Sequence, residues 1–215
     1  MMMEKILQQN SERGKSLFLH SCCAPCSSYV LTYLRSFFKI TVFYYNPNIT
    51  EDLEYKKRVE EQKRFILKLN EEAGADGSLE KGKVFPISFQ EGEYMPELFF
   101  QLVKGHEADR EGGGRCYLCY EMRLREAALY GKEQGFDYFT TTLSISPLKN
   151  AKWLNEIGER MGEEYGISYL PSDFKKKDGY KKSILLSGEY DLYRQDYCGC
   201  VFSKRERQRN KGKEE

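Results

Sequence analysis

The sequence predicts an α/β protein: a mainly parallel sheet with helices on both faces and a cysteine-bearing C-terminal segment. Three observations predict it. Short apolar or β-branched runs alternate with stretches whose apolar residues recur at helical spacing. The segments between successive strands are long enough to hold helical crossovers, which parallel pairing requires. A chain of 215 residues with 40% hydrophobic content suffices for one such core.

Taken in order, residues 16–20 read as a short buried strand, and Val30, Tyr33, Leu34 and Phe37 mark one face of a helix that begins near Cys26. The first cysteines therefore occupy a strand-to-helix turn. Residues 40–45 are β-branched and aromatic and stop at Asn46-Pro47-Asn48, where proline cannot donate to a ladder. Thr50 is expected to cap a second helix, with Glu51 and Asp52 in its first turn and Tyr55, Val59, Ile66 and Leu69 on one face until Gly74. A loop over 73–82 leads to a third strand at 84–88. Pro96 starts a short helix over 95–104. After the breaker Gly112-Gly113-Gly114, Tyr120, Leu124, Ala127 and Ala128 define a helix over 116–134 with a second cysteine pair at its start. Residues 136–142 are β-prone. Ser146 is expected to cap, and Pro147 to open, a helix running to Met161, before a last strand at 167–170. Ligands of such sheets bind at the carboxyl ends of the strands, where Cys22, Cys23 and the turn at 140–142 would lie. The expected organisation is one α/β domain over 1–203 and a basic tail over 204–215 that frays for want of apolar residues.

The charges balance, 34 basic against 33 acidic, so no overall field announces nucleic acid and any basic surface must be local. The start lacks the apolar core of a secretory signal, and no stretch approaches the roughly 20 apolar residues of a membrane span. The reading is cytoplasmic, without membrane contact. In a reducing compartment, seven cysteines are poorly explained as a disulfide framework.

Those cysteines fall in three compact sets: Cys22, Cys23 and Cys26; Cys116 and Cys119; Cys198 and Cys200. Cysteines that only pack a core would be scattered singly, so thiol or metal chemistry leads. Cys22 and Cys23 share a peptide bond, and closing both on one tetrahedral zinc demands a tight ring. An iron–sulfur cubane offers separate irons to neighbouring thiolates. Cys116 and Cys119, at a helix N-terminus that favours thiolates, complete four sulfur ligands for a 4Fe–4S cluster. Two alternatives stand beside this. A zinc knuckle from Cys116, Cys119, Cys198 and Cys200 leaves the first set unexplained. A thioredoxin-like Cys23-Ala24-Pro25-Cys26 motif leaves the other two sets in surplus. Cys26 keeps three open roles: cluster ligand, ligand to another metal, or small buried residue. Cys198-Gly199-Cys200 suits either a strained, redox-active disulfide or chelation of one iron or zinc ion.

The strings at 19–26 (LHSCCAPC), 43–48 (FYYNPN), 114–120 (GRCYLCY), 139–147 (FTTTLSISP) and 193–200 (YRQDYCGC) closely resemble the QueH family of epoxyqueuosine reductases, over nearly the whole chain. The resemblance implies a Rossmann-like fold of the adenine nucleotide hydrolase (HUP-like) superfamily, with cysteines where the pyrophosphate loop usually stands. It implies an oxidoreductase of tRNA queuosine biosynthesis that removes the epoxide oxygen of epoxyqueuosine at the wobble position of tRNAs with GUN anticodons. It also implies Cys22, Cys23, Cys116 and Cys119 as cluster ligands and Cys198 with Cys200 as a redox-active pair, and it is in keeping with an additional iron or zinc ion. Candidate ligands for that ion are Cys26, Cys198, Cys200, Asp173 and Asp196.

Such a reduction needs two electrons, two protons and something to stabilise negative charge on the leaving oxygen. No nicotinamide or flavin fingerprint is present, so the electrons are expected from an external donor of ferredoxin or flavodoxin type. His20, Tyr120, Tyr193 and Tyr197 flank the cysteines as candidate proton donors. Candidate tRNA contacts are Arg115 and Arg123 around the second cysteine pair, and Lys175, Lys176, Lys177, Lys181 and Lys182 in what reads as a basic loop around Tyr180. Aromatic platforms for a splayed base are expected among Phe43, Tyr44, Tyr45 and Tyr180. An iron–sulfur enzyme of sulfur transfer or desulfidation, and a zinc-bound RNA-binding module, are the alternative functional readings.

Overall fold

The computed structural model describes residues 2–75 and 84–212. Its centre is a five-stranded sheet in the order β3-β2-β1-β4-β5, built from β1 (Ser16–His20), β2 (Lys39–Tyr44), β3 (Ile87–Glu91), β4 (Tyr138–Thr141) and β5 (Ser168–Tyr169). Every pairing is parallel. The two-residue period of a strand divides the core. Leu17 and Leu19 of β1 join Ile40, Val42 and Ile87 on one face, under α2 (Ala24–Leu34) and α3 (Asp52–Ala75). Phe18 joins Phe43 and Phe139 on the other, under α5 (Gly114–Glu133) and α6 (Ala151–Tyr165). Buried on both faces, the strands read as continuous apolar runs rather than alternating ones.

Two short helices, α1 (Met2–Leu7) and α4 (Pro96–Leu102), flank this body. Two further helices, α7 (Gly179–Glu189) and α8 (Val201–Lys211), follow the last strand. Ser28 of α2 donates to the Ser183 carbonyl of α7 at 3.4 Å, one of the contacts seating α7 on α2.

Several elements depart from the sequence reading. The third strand begins at Ile87 rather than 84, because Pro86 cannot donate to the ladder and pairing starts after it. The expected loop at 73–82 is helical to Ala75, and its remainder lies outside the described residues. Thr50 does not cap α3. Its hydroxyl accepts from the Val201 amide at 3.1 Å and so ties the start of α8 to the start of α3. The helix expected from Pro147 starts at Ala151, where the Asn150 side chain accepts from the Lys152 and Trp153 amides. Between β4 and that cap lies a 3₁₀ turn, Thr142–Ile145, whose Leu143 amide is held by the Thr141 hydroxyl. The supposed basic loop ends inside α7, and the tail expected to fray is helical to Lys211. Ser203 and Glu206 anchor that last helix, through the Glu111 carboxylate at 2.8 Å and the Glu111 amide at 2.9 Å.

At the carboxyl ends of the central strands β1 and β4 lie the Cys22–Cys23 turn and the 3₁₀ turn. The N-terminus of α5, with Cys116 and Cys119, packs against the same end, Cys22 and Cys116 sharing one apolar cluster.

Candidate metal centre

Cys23 is the N-cap residue of α2, extended at φ −175° and ψ 158°, with Pro25 in the first turn. That geometry turns the chain sharply enough to gather three thiols, and the Sγ atoms of Cys22, Cys23 and Cys26 all lie within 4.8 Å of one another. Tyr44 and Asn46 hold the turn from β2, donating to the Cys22 carbonyl at 3.2 Å and the Ser21 carbonyl at 2.8 Å. Thiol hydrogen bonds from Cys22 and Cys26, with help from Arg58, draw the Cys23 thiol well below its ordinary value. Its two donors are pushed upward by the same bonds, so Cys23 is the thiol of the triad that gives up its proton most readily.

The second pair sits in the first turns of α5. The Gly112 amide points at Cys116 Sγ from 3.2 Å. Burial raises both thiols, Cys119 to about 11, so as bare thiols they are neutral. The third pair leads into α8. Cys198 and Cys200 are free thiols with Sγ atoms 3.7 Å apart. The Cys200 thiol, followed by Lys149, lowers Cys198, while Cys200 itself is raised. Gly199 takes φ +120°, and a Cβ there would stand 2.7 Å from Ile49 Cγ1.

Buried cations knit these sets together. Arg123, one of the expected tRNA contacts, is buried instead and donates to the Cys119 carbonyl at 3.4 Å and to Asn46 Oδ1 at 3.1 Å. Both acceptors are neutral. Burial works against its charge, and negative charge on the sulfurs of Cys119, Cys22 and Cys198 would sustain it. Arg58, 1% exposed, is paired with Glu54 at 2.7 Å and donates to the Cys198 carbonyl at 3.1 Å. Lys149, also buried, bonds Glu111 at 2.8 Å, and Cys198 is the foremost anion holding its charge against burial. Sequence reasoning passed over Arg58, Lys149 and Glu111, since each reads as an ordinary surface charge until the fold encloses it.

A cavity of about 410 Å³ opens beside these groups, lined in part by Cys22, Cys26, Cys198, Arg123, Lys149 and Asp196. Its rim carries Leu148, Tyr180, Arg194, Tyr197 and Arg207. Asp196 and Tyr197 both line this cavity, and burial pushes Tyr197 up to about 12.

Other expectations are corrected. Asp173 faces a separate cleft and pairs with Lys175 at 3.1 Å and Lys176 at 3.5 Å. His20 is fully enclosed: Nε2 donates to the Tyr45 carbonyl at 3.1 Å and Nδ1 accepts from the Thr141 hydroxyl at 2.9 Å. Burial drives it down to about 3, so it is neutral and offers no mobile proton. Tyr193 donates to Glu54 at 3.0 Å beneath the Lys57 ammonium and does not line the cavity. Tyr120 is buried with its Oη lacking a hydrogen-bond partner among the described residues, and burial raises it. Arg115 is buried and spent on the carbonyls of Glu107 and Asp109, with its guanidinium over Phe202. Lys177 is paired with Glu4. Lys181 and Lys182 are exposed on α7, Lys182 lying over the Tyr29 ring at 5.3 Å. Of the expected platforms, Phe43, Tyr44 and Tyr45 are core residues, and Tyr180 alone of that group stands at the cavity.

Parallel strands, thiols at their carboxyl edge and a cavity beside them define a cysteine-clustered α/β protein whose first triad could hold a metal ion. The model of the epoxyqueuosine reductase QueH family matches residues 17–206. The chain belongs to that family. Its relatives include the epoxyqueuosine reductase QueH of Streptococcus pyogenes, 41% identical over 201 residues, which span 94% of this chain and 74% of the relative. The protein of that name from Acinetobacter baylyi is 38% identical over 200 residues, 92% of this chain and 84% of the relative. That of Thermotoga maritima is 32% identical over 195 residues, 89% of this chain and 92% of the relative. The family supports reduction rather than sulfur transfer or a non-catalytic zinc module. No helix among the described residues is long and apolar enough to cross a membrane.

Proposed function

We propose that this chain reduces epoxyqueuosine in tRNA to queuosine, using a 4Fe–4S cluster held by Cys22, Cys23, Cys116 and Cys119, with Cys198 and Cys200 as a dithiol or as ligands to a second iron or zinc. The observation that carries the reading is Arg123: a buried guanidinium hydrogen-bonded, among the described residues, to neutral oxygens and set near thiols of all three sets. An unpaired buried charge costs several kcal/mol, so the site is built for an anionic occupant such as a thiolate-ligated cluster. The donor set fits, being soft sulfur throughout. Cys26, inside the compact triad, is an alternative ligand.

A bound cluster would supply single electrons, and a second iron or zinc ion with an open position would supply a Lewis acid. The protein's own groups do the rest. Arg123 and Lys149 face the cavity as fixed cations where charge develops on the leaving oxygen. Tyr197 and Asp196 line it as proton carriers. Loss of the oxygen as water consumes two electrons and two protons, the electrons coming from a donor of ferredoxin or flavodoxin type. At the rim, the Tyr180 ring and Leu148 side chain suit stacking of a splayed base, and Arg194 and Arg207 suit flanking phosphates. This replaces Arg115 and Arg123 as the tRNA surface, with Lys181 and Lys182 retained on the neighbouring helix. The setting proposed is the cytoplasm.

Anaerobic purification followed by iron and acid-labile sulfide assays tests the cofactor, and a colourless protein carrying only zinc would defeat the reading. Mass spectrometry of tRNA nucleosides from a strain lacking the gene tests the activity. Accumulated epoxyqueuosine is expected; unchanged queuosine would defeat it.

A further inference from the structure

The cysteines have a second approach besides the cavity. Phe99 of α4 and Val103, which caps it, are buried in one cluster with Cys119 and Cys200, and Cys198 and Phe202 pack against that cluster. Outside it, on the same short helix, Leu98, Phe100 and Leu102 are exposed, Phe100 at 44%. The rings of Phe99, Phe100 and Phe202 meet at 5.9 to 6.4 Å between centroids. None of these residues lines the cavity, which the patch shares only through Cys198. One layer of aromatic side chains thus covers two cysteine sets at residues that do not line the cavity.

The charges beside this patch are lopsided. On α8, which contributes Phe202, Lys204 is paired with Glu51 at 2.6 Å, while Arg205, Arg207 and Arg209 are exposed beside the single acid Glu206, whose carboxylate is turned to the Glu111 amide. Arg205 and Arg209, three and seven residues beyond Phe202, fall on its side of the helix and are exposed. Lys104, just beyond α4, is exposed as well. Glu97, in the first turn of α4, and Glu107 are the opposing acids nearby in the chain. An exposed apolar patch with a basic border fits a partner with an apolar contact spot inside an acidic ring. Electron-transfer complexes use small interfaces of this kind, being transient by necessity.

We propose that the face formed by Leu98, Phe100, Leu102 and Phe202, bordered by Arg205 and Arg209, docks an acidic one-electron carrier protein, which delivers electrons through the Phe99–Phe202 layer to the sulfur-bound centre. The proposal rests on the reductase reading and names its electron entrance. Two dockings, each transferring one electron, together with two protons convert an epoxide to an alkene and one water. The carrier is oxidised by one electron each time. Substrate RNA stays on the cavity face throughout.

The test uses the full-length holoprotein, an acidic ferredoxin as carrier, and dithionite as a small reductant. Calorimetry measures ferredoxin binding, and stopped-flow absorbance measures bleaching of the protein's visible band. Phe100→Ser and the double variant Arg205→Glu, Arg209→Glu are expected to weaken binding and slow ferredoxin-driven bleaching by at least about tenfold, with a shallower salt dependence in the double variant. Dithionite-driven bleaching stays at the parent rate. Unchanged ferredoxin rates overturn the proposal. So do equal losses with dithionite, a dimer in sedimentation that Phe100→Ser dissolves, or a defect confined to tRNA binding. If dithionite bleaches nothing even in the parent protein, the cluster reading itself has failed, which is a separate result.

Discussion

Lys149 Nζ, buried, lies 2.8 Å from Oε1 of the partly buried Glu111, and the other carboxylate oxygen of Glu111 accepts from Ser203 at the start of α8. One ion pair therefore joins the turn before α6, the loop before α5 and the segment that holds Cys198 and Cys200. Removing either partner strands a buried charge. Lys149→Met is expected to destabilise the metal-free protein by about 3 to 5 kcal/mol in urea unfolding, and the double replacement Lys149→Met, Glu111→Leu to recover most of it. The single variant should also raise the thiol titration of Cys198, read from the pH dependence of alkylation, because Lys149 is among the groups that lower it.

The division of labour among the sulfurs gives a second expectation. Cys116→Ala or Cys119→Ala should strip the protein of iron and colour, whereas Cys198→Ala keeps most of the colour and loses turnover. Iron analysis beside activity decides it. Bleaching in the Cys198 variant would place that residue among the cluster ligands.

His20 makes stability depend on pH. Its folded value of about 3 lies below the ordinary 6.5, so between those limits the unfolded chain binds more protons than the folded one. Stability from this group is complete above about pH 6.5 and declines as the pH falls, at up to about 1.4 kcal/mol per unit. His20→Gln should flatten that limb of the curve measured by chemical unfolding. An unchanged slope would show that other groups govern it.

Arg123 is expected to act through charge. Arg123→Gln should make the bound cluster harder to reduce, by about 60 mV for every 1.4 kcal/mol the guanidinium contributes. Potentiometric titration followed by electron paramagnetic resonance reads this directly. A potential unmoved by the substitution would reduce Arg123 to a packing residue.

Gly199→Ala should destabilise the protein by about 1 to 3 kcal/mol, since φ +120° is closed to alanine and its methyl would collide with Ile49. Thermal unfolding checks the size. Alkylation of Cys198 and Cys200 reports the accompanying displacement.

Much of the architecture was legible because it rests on short-range signals. The β-branched run before Asn46, the proline opening α4 and the helical spacing of Leu124, Ala127 and Ala128 each specify their element locally. The grouping of cysteines was legible for the same reason. What escaped depends on enclosure. Arg115 and Arg123 look like phosphate contacts in a string of letters, yet α5 turns both inward. Asn150 captured the cap expected of Ser146 because the chain first makes a 3₁₀ turn off β4. The polar segment 204–211 gains its helix from Thr50, Glu51 and Glu111, anchors more than 90 residues upstream that no local window contains. Lys149 and Glu111 became a pair only once two distant loops met.

The thiols belong to three stretches of chain, at 22–26, 116–119 and 198–200, and the last stretch is stitched in by Arg58 and Thr50. A ribosome must therefore release the chain past Cys200 before the full set of sulfurs can face one another. Cofactor delivery has to wait for that point, and any nascent or clipped chain lacking Cys198, Cys200 and α8 would expose reactive thiols instead of burying them.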